Sequence, residues 1–244
     1  MNKLYYLGLA FLATILLMSC SDDDNSTNPD DNNTETFSFP LERGNEWVYE
    51  EVFYDNDGNE GDKSGNERSI SVGETVTLFG KDGYMITTTD IIANGTAIPM
   101  KKYACASEEG YFEYDPTFFD KIEEADPSVE RKWIKLFGFG QDTWTAYSYY
   151  QPAPIVLDSH IVNEANIRVK YEGTTELTSL DSITITVHIY TVTTYYHIDT
   201  PENTYTENST RTYYVHEEYG VLSDREVQTG GNGGWGWKLK SKNY

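Results

Sequence analysis

One stretch of the chain settles its fold class. Residues 183–190 read Ile-Thr-Ile-Thr-Val-His-Ile-Tyr, which sets Ile183, Ile185, Val187 and Ile189 on one side. Thr184, Thr186, His188 and Tyr190 fall on the other. A period of two is the signature of a strand with one face on a core, and a helix cannot bury such a pattern on one side. The residue types agree, because β-branched and aromatic side chains sit well on a pleated, half-buried surface.

The same reading recurs along the chain. It predicts strands over Glu46–Tyr54, Arg68–Phe79, Gly83–Ile92, Ala97–Ala106, Gly110–Tyr114, Lys132–Phe139 and Thr143–Tyr150. Further strands are expected over Ile183–Asp199, Tyr205–Glu217, Gly220–Thr229 and Trp235–Lys242. Asp82-Gly83 and Asn94-Gly95 supply hairpin turns, and Pro201-Glu202-Asn203 turns the long C-terminal pair. One helix is predicted, with Asp115 as N-cap, Pro116 at the first position and an end near Asp126. The expectation is a mainly β domain: a single antiparallel, strongly curved sheet, half-barrel or barrel of about ten or more strands with one short helix.

The first 36 residues follow different physics. Lys3 precedes an almost wholly apolar run, Leu4–Met18. A short positive start followed by such a run is a secretory signal, and the run is shorter than the roughly 20 residues a bilayer span needs. It ends in Leu17-Met18-Ser19-Cys20, which resembles the lipobox of bacterial lipoproteins. The resemblance implies cleavage before Cys20, a diacylglycerol on its thiol and an acyl group, such as palmitate, on the new amine. Several acyl chains together hold a protein firmly on its membrane.

Residues 21–36 hold Asp, Asn, Ser, Thr, Glu and one Pro, with no large apolar side chain. Such a segment cannot offset the entropy of ordering and is expected to be a disordered acidic tether. Ser21-Asp22-Asp23-Asp24 resembles a signal that sends certain lipoproteins to the outer face of the outer membrane. The expected organisation is therefore a signal peptide over residues 1–19, a lipidated Cys20 with its tether to residue 36, and one β-rich domain over 37–244.

The domain is strongly acidic, with a net charge of about −17 over residues 37–244. Phosphate contacts need Lys and Arg, so nucleic acid is excluded as a partner. With Cys20 acylated, Cys105 is the single remaining thiol and is expected to pack as a small apolar residue.

No motif for a Ser-His-Asp site, a phosphate loop or a zinc helix is present, so no catalytic, cofactor or metal residues are expected. Asp55, Asp57 and Asn59 alternate like the first ligands of a calcium loop, but Glu60-Gly61 and Asn66 break the pattern, so the expectation is an acidic hairpin loop. His188 and His216 are expected to share one sheet face near Tyr190 and Tyr214, as surface residues. The many Tyr and Trp side chains suit a Tyr-rich core, or a glycan or amphiphile site. Phe39-Pro40-Leu41-x-x-Gly44-Asn45-x-Trp47-x-Tyr49, with Tyr213-Tyr214 and Tyr219-Gly220 later, is similar to a broad group of uncharacterised secreted bacterial lipoproteins. That likeness implies an open, highly curved sheet of carrier type and brings no activity with it. The functional expectation is a non-enzymatic binding or accessory module on the cell envelope. The alternatives are a periplasm-facing carrier of a hydrophobic ligand or lipoprotein, and a carbohydrate-active hydrolase.

Overall fold

Alternating strands joined by tight turns have one economical way to pair, each with the next, and the chain uses it twice. The computed structural model describes residues 37–55, 59–139, 142–152, 162–227 and 233–244. The first meander holds β1 (Glu46–Tyr54), β2 (Glu60–Leu78), β3 (Lys81–Ile91), β4 (Ala97–Ser107), β5 (Gly110–Tyr114) and β6 (Ile134–Phe137). The second holds β7 (Thr143–Pro152), β8 (Val162–Thr178), β9 (Thr184–Asp199), β10 (Thr204–His216), β11 (Gly220–Val227) and β12 (Gly234–Asn243). The two meanders join where β1 pairs with β12, giving one antiparallel sheet in the order β6-β5-β4-β3-β2-β1-β12-β11-β10-β9-β8-β7.

Twelve right-twisted strands cannot stay flat, and this sheet curls into a nearly closed barrel. Its two edges, β6 and β7, come together without a backbone ladder. The Trp144 indole donates to the Lys135 carbonyl at 2.9 Å across that seam, and the Lys135 ammonium lies 5.5 Å from the same ring.

The helix α1 (Pro116–Ala125) sits between β5 and β6 in the chain. Asp115 caps it as expected, accepting from the backbone N–H groups of Thr117 at 2.9 Å and Phe118 at 3.3 Å. Phe119 and Ile122, both essentially inaccessible, pin it into the barrel. Phe119 packs edge-on against Tyr147 of β7 and meets Tyr114 of β5, so one aromatic side chain ties the helix to both meanders.

Three local expectations change. A strand, β8, occupies Val162–Thr178, where the sequence reading placed none; Ala165, Ile167 and Val169 are its buried face. β2 begins at Glu60 rather than Arg68, because Lys63 and Glu60 pair with Val52 and Tyr54. Its register with β1 shifts twice between Glu50 and Tyr54, with the extra residues on β2, and Val52 is fully buried there. Tyr190, read onto the polar face of β9, is fully buried against Phe137 and Tyr171.

The β8–β9 hairpin is long, pairing from Glu164↔His197 to Thr178↔Thr184. A register shift between Tyr171 and Gly173 bends it, and Gly173 adopts the φ of +99° that only glycine takes readily. Beyond the bend the hairpin forms an arm, and its tip is held by a 2.6 Å hydrogen bond from the Tyr219 hydroxyl to Asp181.

Candidate functional site

Alternation along the strands sends every second side chain into the barrel, and those side chains do not fill it. A cavity of about 370 Å³ remains among Trp47 and Tyr49 of β1, Ile70 of β2, Ile86 and Thr88 of β3, and Ala104 of β4. Phe39, in the segment leading into β1, covers part of it, with its ring 4.4 Å from Tyr111 and 6.5 Å from Trp47. A second chamber of about 270 Å³ adjoins it, sharing Lys102, Arg211 and Tyr213, and is bounded by Phe118 and Lys121 of the helix.

The wall is mixed. Against the aromatics stand three cations, and each is gripped by carboxylates. Arg68 makes a two-pronged pair with Asp90 at 2.6 and 2.7 Å, while its guanidinium lies 4.3 Å from the Trp237 ring. Arg211 reaches Glu226 at 2.5 Å and Asp224 at 3.5 Å and stacks over Trp235 at 4.6 Å. Lys102 lies 3.4 Å from Asp115 and 3.7 Å from Glu113. Cross-strand register makes these pairs: Arg68 faces Asp90 between β2 and β3, and Arg211 faces Glu226 between β10 and β11.

The titration behaviour follows. The Glu113 carboxylate beside Lys102 holds its ammonium above the ordinary range, against the opposing effect of burial. Burial raises Asp224 despite Arg211 and Arg68. Burial also lifts the phenols, with Tyr213 pushed up to about 12 and Tyr111 and Tyr49 raised too, so all three stay neutral donors. Tyr49 donates to the Val221 carbonyl at 3.0 Å and Tyr111 to Glu113 at 2.9 Å. Five carboxylates thus surround three cations, leaving an excess of negative charge around an apolar space.

Cys20, Ser21–Asp24, Asp57 and His160 lie outside the described residues. Asp55 accepts from the Asn59 backbone N–H at 2.8 Å and from its amide at 3.0 Å, which closes the acidic hairpin loop. Among the described residues, no three His, Cys, Asp or Glu side chains converge as a metal set. His188 pairs in register with Val215, so His216 falls on the opposite face. A one-residue offset is enough to separate them. His188 instead packs 4.8 Å from the Phe139 ring, with its Nδ1 3.1 Å from the Tyr171 hydroxyl. Cys105 is buried, and burial raises its thiol. The cavity was not visible in the sequence. The available signal was the charged members of alternating strands, Arg68, Lys102 and Arg211, on the positions that face inward.

No protein-family model and no curated protein matches the chain. Three solved structures are similar to it. A candidate lipoprotein from Parabacteroides distasonis is 14% identical, with a TM-score of 0.47 over 85% of this chain and 99% of that one. A candidate exported protein with a YmcC-like fold from Bacteroides fragilis is 12% identical, with a TM-score of 0.46 over 86% and 100%. The hypothetical lipoprotein YmcC from Escherichia coli is 8% identical, with a TM-score of 0.31 over 79% and 83%.

Proposed function

We propose that this chain is a lipid-anchored protein of the bacterial cell envelope whose barrel is a non-enzymatic binding module for a small amphiphile. Cys20 carries the acyl chains, and Ser21-Asp22-Asp23-Asp24 directs the protein to the outer membrane, exposed at the cell surface. The observation that carries the binding reading is the interior cavity of about 370 Å³, walled by aromatic and aliphatic side chains and edged by ion pairs. Ligand sites are typically concave, mostly apolar and furnished with a few fixed polar groups.

The interior carboxylates support binding rather than hydrolysis. Glu113 and Asp115 share Lys102, and Asp224 and Glu226 share Arg211. Carboxylates gripped in this way are held in place, whereas a glycosidase needs one to protonate and another to attack. The surplus of negative charge favours a ligand whose head is neutral or cationic.

The test uses the full chain anchored in phosphatidylcholine nanodiscs, with empty nanodiscs subtracted. Octyl glucoside, kept below its micellar concentration, is titrated calorimetrically. Binding that Thr88→Phe weakens tenfold or more is expected, since the new ring fills the cavity. An affinity unchanged by that substitution would rule the cavity out. Metabolic labelling with a palmitate analogue tests the anchor, and Cys20→Ser is expected to abolish the label. Protease shaving of intact cells tests surface display, which full protection of the domain would overturn.

A further inference from the structure

The outer face of the second meander carries a feature that the interior lacks. The β8–β9 arm, bent at Gly173, and the outer faces of β10, β11 and β12 bound a cleft of about 760 Å³. Leu177 and Leu180 of the arm line one side, and Ile189, Tyr214 and Leu222 line the other. These side chains make an apolar floor. Leu180 stands 37% exposed at the rim.

Arg225 edges the same cleft. Arg68, Arg131 and Arg211 each grip carboxylates, but Arg225 has no carboxylate within ion-pair distance among the described residues. Its Nε is buried with no hydrogen-bond partner there. The guanidinium lies 5.1 Å from the Tyr54 ring, and one Nη reaches only the Asp55 carbonyl at 3.4 Å. The neighbouring cation, Lys238, is occupied by Glu60 at 2.6 Å. In a chain of net charge −22, acidic partners are abundant. A half-buried guanidinium left without one retains both a desolvation cost and unused donors. Its fork of donors matches a phosphate or carboxylate.

We propose that this cleft is a second binding site, distinct from the interior cavity, for an amphiphile with an anionic head. Arg225 receives the phosphate or carboxylate, and the tail lies along Leu177, Leu180, Ile189 and Leu222. The interior cannot serve this ligand, because its cations are already paired and its surplus charge is negative. The proposal does not depend on the interior reading.

The full chain in phosphatidylcholine nanodiscs is titrated with octyl phosphate, with inorganic phosphate in parallel. Octyl phosphate is expected to bind at least tenfold more tightly than inorganic phosphate. Arg225→Gln should weaken octyl phosphate about tenfold or more, since a hydrogen-bonded charge pair is lost, while Arg225→Lys retains part of the affinity. Leu180→Asp, which sets a like charge at the rim, should weaken it too. Circular dichroism checks that each variant is folded. The proposal is overturned if octyl phosphate does not bind, if Arg225→Gln binds it as tightly as the parent chain, or if inorganic phosphate binds equally well. The interior reading stands or falls separately, on octyl glucoside and Thr88→Phe.

Discussion

Strands β10 and β11 present opposite chemistry on their two faces. Inward, Arg211, Tyr213, Asp224 and Glu226 form a set in which one guanidinium is gripped by two carboxylates. Outward, Tyr214 and Arg225, one residue along, border an apolar cleft with a guanidinium that no carboxylate meets among the described residues. The sequence neighbours Asp224 and Arg225 do not pair with one another, because a strand points successive side chains apart. The contrast teaches that an arginine's role follows from the face it occupies. Inside it is a clamp on carboxylates, and outside, by our proposal, it receives the ligand's head.

The two arginines, mutated separately, should respond very differently. Arg211→Met leaves the buried Asp224 and the half-buried Glu226 without their cation and should cost about 3–5 kcal/mol in urea unfolding. Arg225→Gln removes no ion pair and should stay within about 0.5 kcal/mol of the parent. Equal losses would erase the distinction. Phe119→Ala empties the position where the helix is pinned and should also cost about 3–5 kcal/mol, by the same measurement. A smaller effect is expected at the arm. Gly173→Ala strains a backbone at φ +99° with open space around it, so the cost is conformational, about 1–2 kcal/mol. Octyl phosphate affinity should fall with it, because the bend shapes the cleft.

The smallest effect is a pH dependence at His216. Burial holds its imidazole below the ordinary value of 6.5, so the folded state binds fewer protons than the unfolded chain just below that pH. Stability from this group is therefore present above about 6.5 and is lost as the pH falls through the folded value. His216→Gln should flatten that part of the stability curve, and an unchanged slope between pH 5 and pH 7 would count against it.

Much of the fold was legible because it rests on local pattern. Alternation gave the meanders, Asp115-Pro116 gave the helix start, and Asn94-Gly95 gave its hairpin, whereas the β2–β3 turn falls at Phe79-Gly80 and the expected turn pair Asp82-Gly83 lies within β3. The misses have local causes too. In β8 the inward residues Ala165, Ile167 and Val169 alternate with Glu164, Asn166, Arg168 and Lys170, and that dense charge masks a strand. The extra residues in β2 that carry its pairing with β1 back to Glu60 have no signature in composition. Both sites lay beyond sequence reading for a different reason. Arg211 meets Asp224 only through register, and the outer cleft exists only once the arm bends back over the sheet. Neither relation is a spacing along the chain.

The join between β1 and β12 has a consequence for the order of assembly. Glu46 lies beside Asn243 in the middle of the sheet, so the chain's first strand waits for its last. Each meander can form from neighbours, but the ring of strands closes only after nearly the whole polypeptide is available. Such distant contacts make for slow folding. A chain that emerges from its site of synthesis N-terminus first therefore cannot seat β1 between both neighbours until β12 has followed.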